Sequence, residues 1–317
     1  MDKYLISYYM DNGGDTMLDF RTETFLTICK YMNYTAAAQK LNITQPAVTQ
    51  HVRFLEEYYG AKLFVYEHRK LKLTKAGEIL RQALSTSIND EQYLKDKIKS
   101  AGILEMQLNF GVTRTIGEYV IGHPLALFLR NHSEYKVNMK ISNTSNLLDQ
   151  IIQGEINFAI VEGYFDRIRF ESEILKTEAF IPVCSVKHEF RKKIDCVADL
   201  FAETLLIRED GSGTREIMEK HLMANNYSLD CFHNTITIGG MHTILQLIEE
   251  DMGISFLFQS AAQELIDAGV IKEIVLKDFN VFHEYAFIWE KGSKYGDEYR
   301  NICEEFKKCL NVNENNI

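Results

Sequence analysis

The stretch Thr35 to Val52, TAAAQKLNITQPAVTQHV, decides the fold, because it joins two short helical patterns through a tight polar turn. Ala36, Ala37, Ala38 and Leu41 are small or apolar, so a first helix can lie close against a neighbour. Asn42, Ile43 and Thr44 break that pattern and offer a cap. Thr44 is a good N-cap, and Pro46 suits a first helical turn, where its missing N–H has no intrahelical partner to lose. From there Ala47, Val48, Val52 and Leu55 recur at helical spacing. Gln45, Thr49, Gln50 and Arg53 are left on the other side, and side chains of these types read base edges or phosphates. The arrangement reads as a helix-turn-helix, whose second helix places its N-terminal residues, Thr44 to Ala47 among them, in the major groove of DNA.

Outward from this core, Gly60 supplies the left-handed stop of the second helix. The run Leu63-Phe64-Val65-Tyr66 is β-branched and aromatic, Glu67-His68-Arg69-Lys70 is a basic tip, and Leu71-Lys72-Leu73 has period two. Strand, basic tip and strand make a wing, with Arg69 and Lys70 placed to meet the DNA backbone or minor groove. Met17 to Ala76 holds nine Lys and Arg against five Asp and Glu, whereas Gly77 to the end holds 25 against 37. The basic segment coincides with the helix-turn-helix, and the acidic remainder makes a poor DNA binder.

The segment from Phe25-Leu26 through AAAQKLNITQPAVTQHVRFLEEYYGAKLF to LTKAGEIL resembles the N-terminal signature of the LysR-type transcriptional regulators. A looser likeness runs on to about Phe306. The resemblance implies a winged helix-turn-helix, a long linker helix that dimerises, and a two-lobed α/β effector-binding domain resembling periplasmic solute-binding proteins. It also implies an effector pocket between the lobes, with Thr115 and Thr144 in the positions that follow the first two strands. Gln50 stands where many relatives have arginine. Leu245 and Asp251 stand where relatives often have lysine and glycine.

The domain boundaries expected are 1–16 as a disordered extension or the product of an upstream start codon, 17–74 as the winged helix-turn-helix, 75–104 as a linker and dimerisation helix, and 105–317 as the effector-binding domain. In the linker, Ile79, Leu80, Ala83, Leu84, Ile88, Leu94 and Ile98 form an apolar stripe along Thr74 to Lys99. About 25 residues at a rise of about 1.5 Å give a rod of about 38 Å. Pairing with a second copy, as dimer or tetramer, is the economical way to bury it, with Leu80 and Leu84 in the seam.

Composition is that of a folded chain: 317 residues, 46% hydrophobic and 25% charged. Its six cysteines show no metal spacing. No window has the roughly 18 uninterrupted apolar residues of a membrane span, and the N-terminus lacks a signal-peptide layout, so a cytoplasmic location is expected. There is no Ser-His-Asp order, nucleophile elbow, His-Glu-x-x-His or Walker loop. Neither enzymatic activity, metal nor cofactor is expected.

Beyond Met106, strand-like runs alternate with helical patterns, which predicts open, mostly parallel sheets in two lobes. The runs are 108–113, 137–142, 156–161, 180–186, 204–208, 235–238, 254–258 and 285–289. FIPVCSV (180–186) and TITI (235–238) are the candidates for crossing strands. Ligands in such sheets sit at strand carboxyl ends and helix N-termini. Four places qualify: Thr113 to Thr115, Ser142 to Ser145 with Asn143 and Thr144, Glu162-Gly163, and Gly211 to Arg215. The last combines two glycines with Ser212, Thr214 and Arg215. Donors dominate, which favours a small carboxylate, sulfonate, phosphate or sulfate. Glu162 would instead suit an amine or a hydroxyl-bearing ligand.

The reading that follows is a DNA-binding regulator whose promoter binding is modulated by a small anionic effector. A small-molecule sensor acting through protein contacts is the alternative, and an α/β enzyme with an appended helical domain is a third.

Overall fold

The computed structural model describes residues 19–100 and 106–314; the extension expected over 1–16 lies outside them. The chain forms two units, Met1–Ile98 with Ile152–Gly154, and Lys99–Ile151 with Glu155–Ile317.

In the first unit, each helix is bounded by the local chemistry of its ends. Helix α1 (Phe20–Tyr31) starts where the Asp19 carboxylate accepts from the Arg21 N–H, and stops at Met32 in the left-handed region. Helix α2 (Tyr34–Lys40) is capped by the Asn33 side chain, which accepts from Thr35 and Ala36 N–H. Helix α3 (Gln45–Tyr59) is capped by Thr44, whose hydroxyl accepts from Ala47 N–H at 3.3 Å, and ends at Gly60 with φ 65°. Ala37 and Ala38 are buried, which lets α2 approach its neighbours, and Val48, Val52 and Leu55 face the same core as Phe25 and Ile28.

Strands β1 (Phe64–Glu67) and β2 (Lys70–Leu73) pair antiparallel, so Glu67 sits opposite Lys70 across a two-residue tip. Both tip residues, His68 and Arg69, have positive φ. That geometry matches the twist of a tight hairpin. Helix α4 (Lys75–Ser100) follows, its start capped by the Thr74 hydroxyl on Gly77 N–H at 3.0 Å.

The packing of helix α4 corrects the expected seam. Leu80 and Leu84 are buried within the core of the winged helix-turn-helix. Ile79 and Ile98, each 62% exposed, and Leu94, 41% exposed, are the large apolar side chains of α4 that stay open.

The second unit is built on a seven-stranded sheet. Its central ribbon is β6 (Phe170–Ser185) paired antiparallel with β11 (Val281–Glu290) from Val281↔Phe180 to Glu290↔Phe170. Toward one end β11 pairs with β5 (Phe158–Glu162), which is followed by β3 (Met106–Thr113) and β4 (Tyr135–Ser142). Toward the other end β6 pairs with β9 (Ser255–Phe258) and β10 (Ile271–Glu273). A parallel pair, β7 (Thr204–Arg208) and β8 (Asn234–Ile238), lies beside β9 through a bridge from Leu205 to Ile254.

The sheet is therefore mixed rather than mostly parallel. The strands that run through both halves are β6 and β11; TITI belongs to β8 instead. Helices α5 (Gly122–Asn131), preceded by a π-turn at Ile116–Val120, and α6 (Thr144–Ile152) serve the first half. Helices α7 (Gly213–Ala224), α8 (Met241–Glu249) and α9 (Gln259–Asp267) serve the second. Helix α10 (Gly296–Glu314) returns to the first half, where Phe306 stacks on Phe128 at 4.7 Å.

Candidate functional site

On the first unit the residues read as a DNA-facing set stand together on α3 and the wing. Thr44, Gln45, Pro46, Thr49, Gln50 and Arg53 are exposed, Ala47 is half-buried, and their helix is held from behind by Val48, Val52 and Leu55. Gln45 Nε2 donates to Thr49 Oγ1 at 3.0 Å, which fixes the first turn of that face. The cations differ in availability. Arg53 is paired with Glu57 at 2.8 Å and Lys62 with Glu56 at 2.5 Å. Among the described residues Arg69 and Lys70 form no ion pair, so they are free to meet phosphates. His51 is half-buried against Phe20, with Thr24 Oγ1 2.9 Å from its Nδ1, and burial lowers its pKa.

On the second unit the four strand ends read as ligand-binding converge on one buried carboxyl. Glu162, the last residue of β5, is 2% exposed. The Thr113 hydroxyl, at the end of β3, donates to its Oε2. The Thr144 hydroxyl, at the start of α6, donates to its carbonyl oxygen at 3.1 Å. The Gly211 to Arg215 loop closes over the same point: Ser145 N–H donates to Gly211 O at 3.4 Å. A Cβ at Gly213 would collide with the Glu162 carbonyl oxygen. Only glycine permits that approach of two backbones.

Among the described residues, the buried polar atoms here that lack a hydrogen-bond partner include Thr214 Oγ1 and Arg208 Nη1, whereas the Thr115 hydroxyl is engaged with the Glu162 carboxyl. Arg208, the last residue of β7, is 2% exposed. Its Nε and Nη2 donate to Glu209 at 2.8 and 3.1 Å, leaving Nη1 unused. Burial is the main cause that pushes the Glu162 carboxyl up to about 7, against the opposing pull of hydrogen bonds and Arg208. Tyr119, also within electrostatic reach of Arg208, is pushed up to about 12, chiefly by burial.

Not every expected donor is free. Asn143 spends its side-chain oxygen on Asn146 N–H at 2.9 Å, capping α6. Ser212 is buried but makes no side-chain cap to α7. Arg215 is already engaged, pairing with Asp210 and Glu219 at 2.9 and 2.8 Å and donating to Arg208 O at 3.4 Å. Arg208 is the residue that sequence reasoning missed. Its signal was its place at the carboxyl end of the strand TLLIR.

A winged helix-turn-helix joined to an α/β sheet unit with a buried cluster of polar side chains at its strand ends is the layout of a ligand-responsive DNA-binding regulator. Residues 21–78 match the family described as bacterial regulatory helix-turn-helix protein, lysR family, and residues 102–308 match the LysR substrate binding domain. The chain belongs to the LysR family of transcriptional regulators, which are DNA-binding regulators with an effector-binding domain and not enzymes.

It is similar to the regulator CbbR of Rhodospirillum rubrum, at 29% identity over 85% of this chain and 89% of that protein. It is also similar to CysL of Bacillus subtilis, at 24% identity over 86% of this chain and 88% of that protein. Among solved structures, full-length OxyR of Pseudomonas aeruginosa matches with TM-score 0.55 and 20% identity, covering 93% of this chain and 95% of that one. LysG of Corynebacterium glutamicum with bound effector Arg matches with TM-score 0.57 and 16% identity, covering 93% and 98%. At such identities the structural likeness concerns the fold. Among the described residues no helix is long and apolar enough to cross a membrane.

Proposed function

We propose that this regulator binds promoter DNA through α3 and the wing as a homo-oligomer, and that a small oxyanion held in the pocket around Arg208 modulates the binding. The observation that carries the ligand charge is the pair of unpartnered donors, Arg208 Nη1 and Thr214 Oγ1, both on residues less than 4% exposed. A buried polar group left unpaired costs about 1–3 kcal/mol. A ligand that accepts from both removes that penalty. The uncapped N-terminus of α7 adds N–H groups and a partial positive charge. Thr113 and Thr144 act by positioning Glu162, while Asn143 and Ser212 shape the loops.

Ligand occupancy then couples to DNA by favouring one arrangement of the sheet unit's halves over another. The exposed apolar side chains of α4, Ile79, Leu94 and Ile98, support self-association. A thermal-shift screen of the full-length protein against small oxyanions and small amines tests the charge assignment. Stabilisation by oxyanions is expected, reaching about 2.7 kcal/mol at a hundredfold excess over Kd. Stabilisation by amines alone would contradict it and point to Glu162 as the anchor.

A further inference from the structure

We propose that the oxyanion enters this pocket together with a proton, docking on Arg208 while Glu162 meets it as a neutral carboxylic acid. The proposal rests on the anion reading above and adds its regulation by pH. Glu162 lies within electrostatic reach of Arg208, yet the guanidinium's ion pair is with Glu209 rather than with Glu162. An anion placed on Arg208 Nη1 therefore faces a second negative charge if Glu162 is ionised. With Glu162, Thr115, Thr214 and Arg208 all less than 4% exposed, water screens that repulsion poorly. Protonation resolves the conflict and converts Glu162 from an acceptor into a donor.

The groups facing Glu162 are consistent with this exchange. Tyr285, its register partner on β11, is held neutral by burial. Tyr119 stays neutral as well, since burial raises its pKa. Arg208 is the cation that serves the ligand. Glu209 bonds Arg208 and lies 3.7 Å from Arg114, so its charge is already matched. Glu178, which faces Tyr285 from β6, pairs with Lys176 at 3.0 Å. Glu162 is left as the group that changes charge, and its value of about 7 makes the proton available near neutrality.

Calorimetric titration of the full-length protein with sodium sulfate and with sodium methanesulfonate tests the proposal, at pH 6 and pH 8 and constant ionic strength. Each titration is run in two buffers of different ionisation enthalpy. Neither anion titrates in this range, so any proton consumed is taken up by the protein. The expected result is binding about tenfold weaker at pH 8 than at pH 6, with close to one proton taken up per anion at pH 8. Glu162→Gln should bind equally at both pH values and take up none.

A wild type with pH-independent affinity, or a Glu162→Gln variant that keeps the pH dependence, overturns the proton linkage. Arg208→Gln separates the two levels. If it abolishes a binding that carried no proton, the anion reading stands and the linkage alone fails. If it leaves binding intact, or if neither anion binds the wild type at pH 6, the anion reading fails and the linkage with it. Should Arg208→Gln not fold, Thr214→Val replaces it, with weaker binding expected from one lost donor and unaltered binding counting against the pocket.

Discussion

Replacing Glu162 by Gln should make the stability of this protein depend less on pH, with a sign fixed by burial. In the folded chain the carboxyl keeps its proton up to about pH 7, whereas the ordinary value is 4.5. Between those limits the folded state holds more protons than the unfolded state, so unfolding free energy falls as pH rises. The slope is about 1.4 kcal/mol per pH unit, which accumulates to about 3 kcal/mol by pH 7 and is constant above. Glutamine has no proton to lose and can still accept from Thr113. At pH 5 the two proteins should therefore melt close together. At pH 8 the variant should be more stable by about 3 kcal/mol, or roughly 6–12 °C in Tm for a unit of this size. The assay is thermal unfolding followed by circular dichroism from pH 5 to 8.5 in chloride buffers free of oxyanions. A Tm difference that stays flat across the range would refute the burial argument.

Gly213→Ala should destabilise the sheet unit by about 1–3 kcal/mol, because the new methyl meets the Glu162 carbonyl and backbone on both sides leaves nothing to yield; chemical denaturation reads it. Arg69→Ala with Lys70→Ala should reduce the salt slope of duplex binding by about 2, at about 0.9 for each phosphate no longer neutralised. An unchanged slope would remove the wing from the interface. Ile79→Glu with Ile98→Glu should yield monomers by sedimentation, since those apolar side chains are exposed on α4. Leu84→Glu should instead unfold the winged helix-turn-helix, whose core holds Leu84.

The first unit was legible because its signals are local. Caps at Thr44, Pro46 in the first turn, Gly60 at the stop and buried positions at helical spacing settle each boundary within a few residues. The stripe on α4 was legible as apolar but not by face. Leu80 and Ile79 are neighbours in sequence, and only the packed core decides which one is inside. The crossing ribbon was harder to see. The first part of β6, FESEILKTEA, carries Glu171, Glu173 and Lys176, half-buried residues whose charge hides its strand character. Its partner β11 comes about a hundred residues later in the chain, and pairing at that range leaves no local trace. The polar cluster around Glu162 was legible as four strand ends with donors. Arg208 stayed hidden because a strand's last residue gives no hint of which way it turns. Arg215 has the right chemistry in the right loop, but Asp210 and Glu219 already occupy its guanidinium.

The central claim, that α3 reads DNA sequence, is tested most directly by selecting duplexes from a random pool with the full-length protein and comparing wild type with Gln50→Ala on the recovered sequence and on its scrambled form. Gln50 is exposed on α3 beside Thr49 and Arg53, and removing one bidentate hydrogen-bonded pairing with a base costs about 1–3 kcal/mol. The account predicts that one sequence is enriched and that the variant binds it roughly 5- to 150-fold more weakly, while binding to the scrambled duplex is unchanged. Equal loss on both duplexes, or no enrichment by the wild type, would contradict it.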